Sequence, residues 1–208
     1  MDPLHNLTLL FEKFPGIGSR QARRFVYFLL TQNKTYIHNI LQEIKLLGVD
    51  VAQCEKCLKF FAINRDGLLC EICINKNRNS RILMIVSRDE DLSNIEKSYV
   101  YNGNYFVVGG VIPILEKEPD KKIKLPQLIS CIEDKCNTLG LDEVILGMNA
   151  TPDGEYTSDY IRERILPLSQ KFNFIITTLG RGLSTGTEIE YSDKSTIKNA
   201  FEHRTKVL

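Results

Sequence analysis

The apolar positions along the chain fall into three regimes. In residues 1–50 they recur at helical spacing. Leu4, Leu7, Leu10, Phe11 and Phe14 predict one helix. Ala22, Phe25, Val26, Leu29 and Leu30 predict a second, and Ile37, Ile40, Leu41, Ile44 and Leu47 a third, with Gly48 placed to end it. Between the first two lies Pro15-Gly16-Ile17-Gly18, a tight turn. Residues 51–80 have little apolar periodicity and hold four of the six cysteines, so a segment this small needs a staple in place of a core. From residue 81 onward, strand and helix patterns alternate. Ile82–Val86 is a continuous apolar run, as expected of a strand buried on both faces. Tyr105–Val108, Val144–Leu146 and Phe174–Ile176 predict three further strands. Leu128, Ile129, Ile132 and Leu139 predict a helix, as do Ser158–Ser169 and Ser195–His203, while Glu116–Lys124 reads as loop. Strands separated by helices argue for a mostly parallel sheet with helices on both faces. The expected fold class is therefore α/β with several parts: helices at 1–52, a small cysteine module at 53–79, and a sheet domain at 80–208.

The chain has 208 residues, 43% hydrophobic and 25% charged, which excludes collagen-like and wholly disordered classes. There is no apolar run of membrane-spanning length, and the first residues lack the basic start of a secretory signal. A reducing cytoplasm is the expected compartment, where cysteines are read as metal ligands or free thiols before disulfides. Net charge is +1, unevenly spread. Residues 1–80 hold 11 Lys/Arg against 7 Asp/Glu, and residues 81–208 hold 16 against 19. A basic N-terminal part suggests a polyanion contact at that end.

Cys54-x-x-Cys57 and Cys70-x-x-Cys73 are two knuckles separated by twelve residues, a spacing that lets four thiolates close a tetrahedron around one Zn2+. Four protein ligands leave no open position, so such a zinc is structural. Disulfides or redox CxxC pairs are the alternative. Asp66-Gly67 supplies a turn between the knuckles. Lys56 and Lys59 are either phosphate contacts or a solvated face. Cys131 and Cys136, five apart on a helix, read as buried free thiols.

The glycines of the Pro-Gly-Ile-Gly turn let backbone approach a ligand closely, and the start of the following helix directs N–H groups outward. Arg20, Arg23 and Arg24 follow at once. Gly16, Gly18, Arg20, Arg23 and Arg24 thus form a candidate site for DNA phosphates, without base reading and sensitive to salt. An ordinary helical hairpin with a solvated arginine face is the alternative. Gly180, Gly182 and Gly186 form a glycine-rich loop without the Gly-Lys-Ser/Thr of a phosphate-binding loop. Asp193 and Ser195 read as caps of the last helix. His5, His38 and His203 share no motif spacing, and the aromatic residues are scattered where packing accounts for them, with no stacking platform in view.

A helix-hairpin-helix, a four-cysteine finger and an α/β domain in this order resemble the bacterial recombination mediator family RecR. Asn149-Ala-Thr-Pro-Asp-Gly-Glu-Tyr-Thr157 is similar to the family's N-P-T-x-E-G-E-A-T stretch. Gly180-Arg-Gly-Leu-Ser-Thr-Gly-Thr-Glu-Ile-Glu-Tyr-Ser-Asp193 is similar to its H-G-L-P-V-G-G-D-L-E-Y-A-D stretch. The resemblance covers essentially the whole chain. It implies a Toprim-like domain, a non-enzymatic role in DNA repair and recombination, DNA binding, work with RecO and RecF, and assembly into a ring-shaped homotetramer or a dimer, in the cytoplasm at the nucleoid. It gives the glycine loop an inter-subunit or loop-shaping role.

The residues also bear on catalysis. Catalytic Toprim domains place a Glu after the first strand and an Asp-x-Asp after a later one, holding magnesium. Here those positions read Ser87, followed by Arg88, and Asn149-Ala150-Thr151. Asp153 and Glu155 remain nearby and are candidate contacts for a basic partner such as RecO, or else a solvated loop. A divergent magnesium-dependent nuclease or primase, and a purely structural scaffold, are the rival readings.

Overall fold

In the computed structural model, residues 2–63, 67–180, 182–183, 186, 188–202 and 204 are described. The chain divides into two compact units, residues 1–52 with 62–64, and residues 53–61 with 65–208.

The first unit contains α1 (Pro3–Phe11), α2 (Ser19–Leu30) and α3 (Lys34–Leu47). Asp2 caps α1 by accepting from the Leu4 N–H, with Pro3 at the first helical position. Asn33 Oδ1 caps α3 by accepting from Tyr36 N at 2.8 Å, and Gly48 ends it as expected. α1 packs on α2. Ala22 and Val26 are buried there, and Phe11 meets Phe14 and Phe25 edge-on at 5.7 and 5.8 Å. Much of the predicted apolar surface stays uncovered. Phe25 and Leu30 are exposed, and α3 buries no residue at all. Leu4, Phe11, Phe25, Leu29, Ile40 and Ile44 line an open apolar groove of about 710 Å³.

The division between the units falls inside β1 (Val51–Gln53) and β2 (Phe60–Ala62), which form a two-stranded sheet. The second unit continues with α4 (Glu71–Ile74), β3 (Asn79–Val86), α5 (Asp89–Ser98), β4 (Gly103–Val107), α6 (Leu125–Thr138), β5 (Glu143–Gly147), α7 (Pro152–Phe172), β6 (Ile175–Thr178) and α8 (Lys194–Glu202). Its four main strands are parallel in the order β4-β3-β5-β6. Leu83, Met84, Ile85 and Val86 are all buried, as the continuous apolar run requires. Leu83 and Ile85 face a core completed by Leu128 and Ile132 of α6 and Ile161 and Ile165 of α7. α5 packs on β3 and β4, with Leu92 buried.

Some boundaries differ from the pattern. α7 begins six residues before Ser158, because the Thr151 side chain accepts from Gly154 N at 3.2 Å and Pro152 occupies the first turn. Asp193 caps α8, its Oδ1 accepting from Thr196 N at 3.0 Å, while Ser195 lies inside the helix. Pro119–Lys121 of the expected loop is a single 3₁₀ turn. Asp66 and His203 lie outside the described residues; Gly67 and Gly186 have positive φ.

Candidate metal centre and nucleic-acid interface

The first knuckle grows out of β1. Cys54 N–H donates to Lys59 O at 2.8 Å, and Leu58, at φ 60°, donates its N–H to Cys54 O at 2.9 Å. The second knuckle opens α4, with Cys70 before the helix and Cys73 N donating to Cys70 O at 3.0 Å. The four sulfurs lie within 4.8 Å of one another, with Cys54, Cys57 and Cys70 buried and Cys73 half-buried. Cys57 and Cys70 Sγ are 3.5 Å apart. Zinc–sulfur bonds of about 2.3 Å place tetrahedral thiolates about 3.8 Å from one another, so the cluster has metal-binding dimensions. Hydrogen bonds with Cys57, Cys70 and Cys73 lower the Cys54 thiol below its ordinary range, and the bond with Cys54 raises Cys57.

The module is mounted firmly on the sheet. Val107 N donates to Cys57 O at 2.8 Å, Phe60 N donates to Asp89 Oδ1 at 2.8 Å, and Leu58 packs against the core. Lys59 is paired with Glu71 and mostly buried, which removes it from the candidate phosphate contacts; Lys56 stays exposed. Cys131 and Cys136 are half-buried free thiols. Burial pushes Cys131 up to about 11, so it is a poor nucleophile.

In the hairpin, Gly16 takes φ 76°, a conformation that disfavours side chains, and Gly18 precedes α2 in extended backbone. A Cβ built on either glycine would meet nothing within 4 Å, so this backbone is open to an approaching ligand. No side chain caps the α2 N-terminus, which leaves its first N–H groups available. Arg20, Arg23 and Arg24 are exposed, and among the described residues none pairs with a carboxylate. Arg24 has only a long 3.4 Å contact to Gln21 Oε1. All five predicted residues thus lie in one turn and the helix it starts.

The chain reverses its strand order beside β3, so the crevice beyond β3 and β5 is where an α/β sheet offers its ligand position. Ser87 stands there, buried, with its hydroxyl 3.3 Å from Met148 Sδ. Arg88 N donates to Asp91 Oδ2 at 3.1 Å, starting α5. Thr151 is occupied as the cap of α7. Gly154 fits only as glycine, since a Cβ would sit 2.1 Å from Asn149 O. Of the residues at the magnesium positions, Ser87 is thus buried against Met148 and Thr151 caps α7, while Asn149 and Ala150 are exposed. Asp153 Oδ1 accepts from Ile114 N at 3.2 Å, and Thr157 Oγ1 accepts from the buried Ile112 N at 2.8 Å, so the start of α7 clasps the loop after β4. Glu155 lines a cavity of about 320 Å³ with Met148, Ser158, Thr178 and Asn199. The structure thus separates the two predicted acids, one bonded to a loop and one at a cavity. Sequence reading did not single out Thr157 or Ser87's contact with Met148, because both depend on partners 45 and 61 residues away.

A parallel sheet of this order, in a chain with a four-cysteine module and a helical hairpin, is consistent with a Toprim-type protein, and residues 81–179 match the Toprim domain family. Residues 182–205 match the RecR C-terminal family. Curated relatives extend the likeness to nearly the full chain. The Recombination protein RecR of Prochlorococcus marinus (strain MIT 9312) is 32% identical over 205 residues, covering 99% of this chain and 96% of the relative. That of Chloroherpeton thalassium is 32% identical over 197 residues, covering 95% and 93%, and that of Lactobacillus acidophilus 30% over 203 residues, covering 98% and 96%. The chain belongs to the RecR recombination protein family, and its role lies in recombination and repair. No helix among the described residues is long and apolar enough to cross a membrane.

Proposed function

We propose that this protein is a non-enzymatic recombination mediator that holds DNA by its phosphates and works with RecO- and RecF-type partners in gap repair. The observation that carries the reading is the α2 N-terminus, uncapped, led by Gly16 and Gly18, and followed by three exposed arginines without carboxylate partners. Backbone N–H groups and guanidinium groups together suit a phosphodiester and read no bases. Cys54, Cys57, Cys70 and Cys73 would hold one structural Zn2+, which on binding supplies charge neutralisation and rigidity. The chain's own residues then carry that rigidity into the sheet through the Cys57 carbonyl and Leu58.

The absence of carboxylates at Ser87, Asn149 and Thr151 supports a domain used for docking over one used for strand cleavage. Glu155, exposed near the start of α7 and lining the cavity, is the acid proposed to contact a basic partner such as RecO; Asp153 serves by holding the Ile114 loop. The open apolar groove of the helical unit supports assembly of copies, with a ring-shaped tetramer or a dimer as the form. A ring repeats a weak phosphate site, and avidity then raises affinity without new contacts. The setting is the cytoplasm, at the nucleoid.

The test is Arg20→Glu with Arg24→Glu, read by the salt dependence of binding to gapped DNA. Each lost phosphate contact lowers the log–log slope by about 0.7 to 0.9, so the pair should lower it by about 1.4 to 1.8. Zinc content and folding should not change. Equal affinity and slope at physiological salt would sink the reading.

A further inference from the structure

Among the exposed aromatic residues of the sheet unit, which include Phe60, Tyr191 and Phe201, Tyr99 is set apart by its backbone. α5 ends at Tyr99, which takes the left-handed conformation φ 55°, ψ 17°, with its N–H on Glu96 O. Glycine is the usual residue there, and for a bulky side chain the conformation is a strained one that points toward function. Tyr99 is 94% exposed and the adjacent Val100 86%.

The tip is held from both sides. Ser98 Oγ donates to Ile95 O at 2.6 Å and accepts from Val100 N at 3.4 Å. Tyr101 turns inward, its hydroxyl donating to Asn104 O at 2.8 Å and its ring meeting Tyr105 at 4.9 Å. Gly103 makes room for it, since a Cβ there would lie 2.2 Å from the Tyr101 hydroxyl. Asn102 ties the tip to the chain entering β3, its carbonyl accepting from Asn79 N at 2.8 Å and its amide reaching Asn77 O at 3.4 Å.

The joined segments, residues 74–81 and 97–104, carry Lys76, Arg78, Arg81 and Lys97 and no Asp or Glu. Arg78 is taken by Glu96 and Arg81 by Asp142. Lys76 and Lys97 are exposed, and among the described residues neither has an ion pair. A displayed ring, an aliphatic neighbour, two ammonium groups without ion pairs and several asparagine amides therefore lie on two segments that the Asn102 bonds join.

We propose that Tyr99 is a stacking contact for a base of single-stranded DNA, with Lys76 and Lys97 meeting the adjoining phosphates, a second DNA contact distinct from the hairpin. One ring suffices for a base, and stacking tolerates any sequence. The exposed apolar side chains of these segments, Ile74, Tyr99 and Val100, fall far short of the roughly 800 Å² per partner that a stable protein interface buries. The bonds of Ser98, Tyr101 and Asn102 fix the backbone of the tip, so little conformational freedom is lost on binding. The proposal shares with the reading above only the identity of the ligand; its residues are different.

The chain has no tryptophan, so Tyr99→Trp places a sole indole at the tip. This variant is titrated with oligothymidylate, with tryptophan emission and the anisotropy of labelled DNA followed together, in the parent and in the Arg20→Glu, Arg24→Glu background. The expected result is emission quenched in step with binding, and quenching that persists in the arginine variant at low salt. Tyr99→Gly, which removes the strained side chain and so keeps or raises the melting temperature, should weaken oligothymidylate binding about tenfold, and Tyr99→Phe should restore it. DNA bound by anisotropy with unmoved emission, and Tyr99→Gly binding as the parent does, would overturn the proposal and leave the tip to a protein contact. Failure of every variant to bind DNA would defeat this proposal and the hairpin reading together, whereas loss in the tip variants alone leaves the hairpin standing.

Discussion

Replacing Thr157 by Val tests how the loop after β4 is held. The Thr157 hydroxyl is fully buried; it accepts from Ile112 N at 2.8 Å and donates to Asp153 O at 2.6 Å. Valine keeps the shape and leaves the Ile112 N–H without an acceptor, in a place where Ile112 itself is fully buried. An unsatisfied buried amide costs about 1–3 kcal/mol. The added methyl recovers at most about 0.8 kcal/mol of apolar burial. With that full recovery the net loss is about 0.2–2.2 kcal/mol, which for a unit of this size lowers the melting temperature by up to about 8 °C. Thr157→Ser keeps the oxygen and loses only a methyl, so it separates the hydrogen bond from the packing. The assay is thermal unfolding with amide exchange at Ile112. Valine should unmask that amide and serine should not. A valine variant as stable as the serine one, with Ile112 still protected, would refute the reasoning.

Gly154→Ala should destabilise the start of α7 by more than 1–3 kcal/mol, since its Cβ would stand 2.1 Å from a backbone carbonyl rather than against a flexible side chain; urea unfolding measures it. Cys70→Ala should abolish stoichiometric zinc, and a chelator should do the same to the parent, with amide protection at Val107 falling in both because its acceptor is Cys57 O; metal analysis with amide exchange checks this. Metal retention should weaken as pH falls, because protons compete for the thiolates that bind it, and a zinc content that stays constant into acid would contradict this assignment.

What could be read from the sequence depended on how local each signal was. Ile82–Val86 carries its burial in its own composition, and the two CxxC knuckles bring their ligands together within twenty residues, so both were visible. Gly16 and the arginines were visible for the same reason. α5 was not singled out because Leu92 and Ile95 are its only apolar residues, although Asp89, Glu90 and Asp91 mark a helix start. The early start of α7 needed the Thr151 cap, which looks like loop from its pattern. In the helical unit the apolar periodicity matches the helices found, yet periodicity does not say whether a face is covered, and α3 buries nothing. Tyr99 carries no local sequence signal, because only a backbone angle and an exposure distinguish it from the packed aromatics around it.

The bond between Val107 N and the Cys57 carbonyl has a consequence for how the sheet can grow. Val108 N turns to Val86 O, so Val107 faces outward from β4, and the Arg78 guanidinium binds Gly103 O at 2.8 Å near the other end of the strand. The β4 border is thus stoppered at both ends by groups of its own unit, while β6 is the other border strand. Open-ended stacking of copies needs two free borders, one to donate and one to receive. With one border closed, any strand-to-strand joining through this sheet pairs β6 with β6 and stops at two copies. The cysteine module therefore makes the sheet one-sided, a guard against fibres that lasts only while its knuckle stays in place.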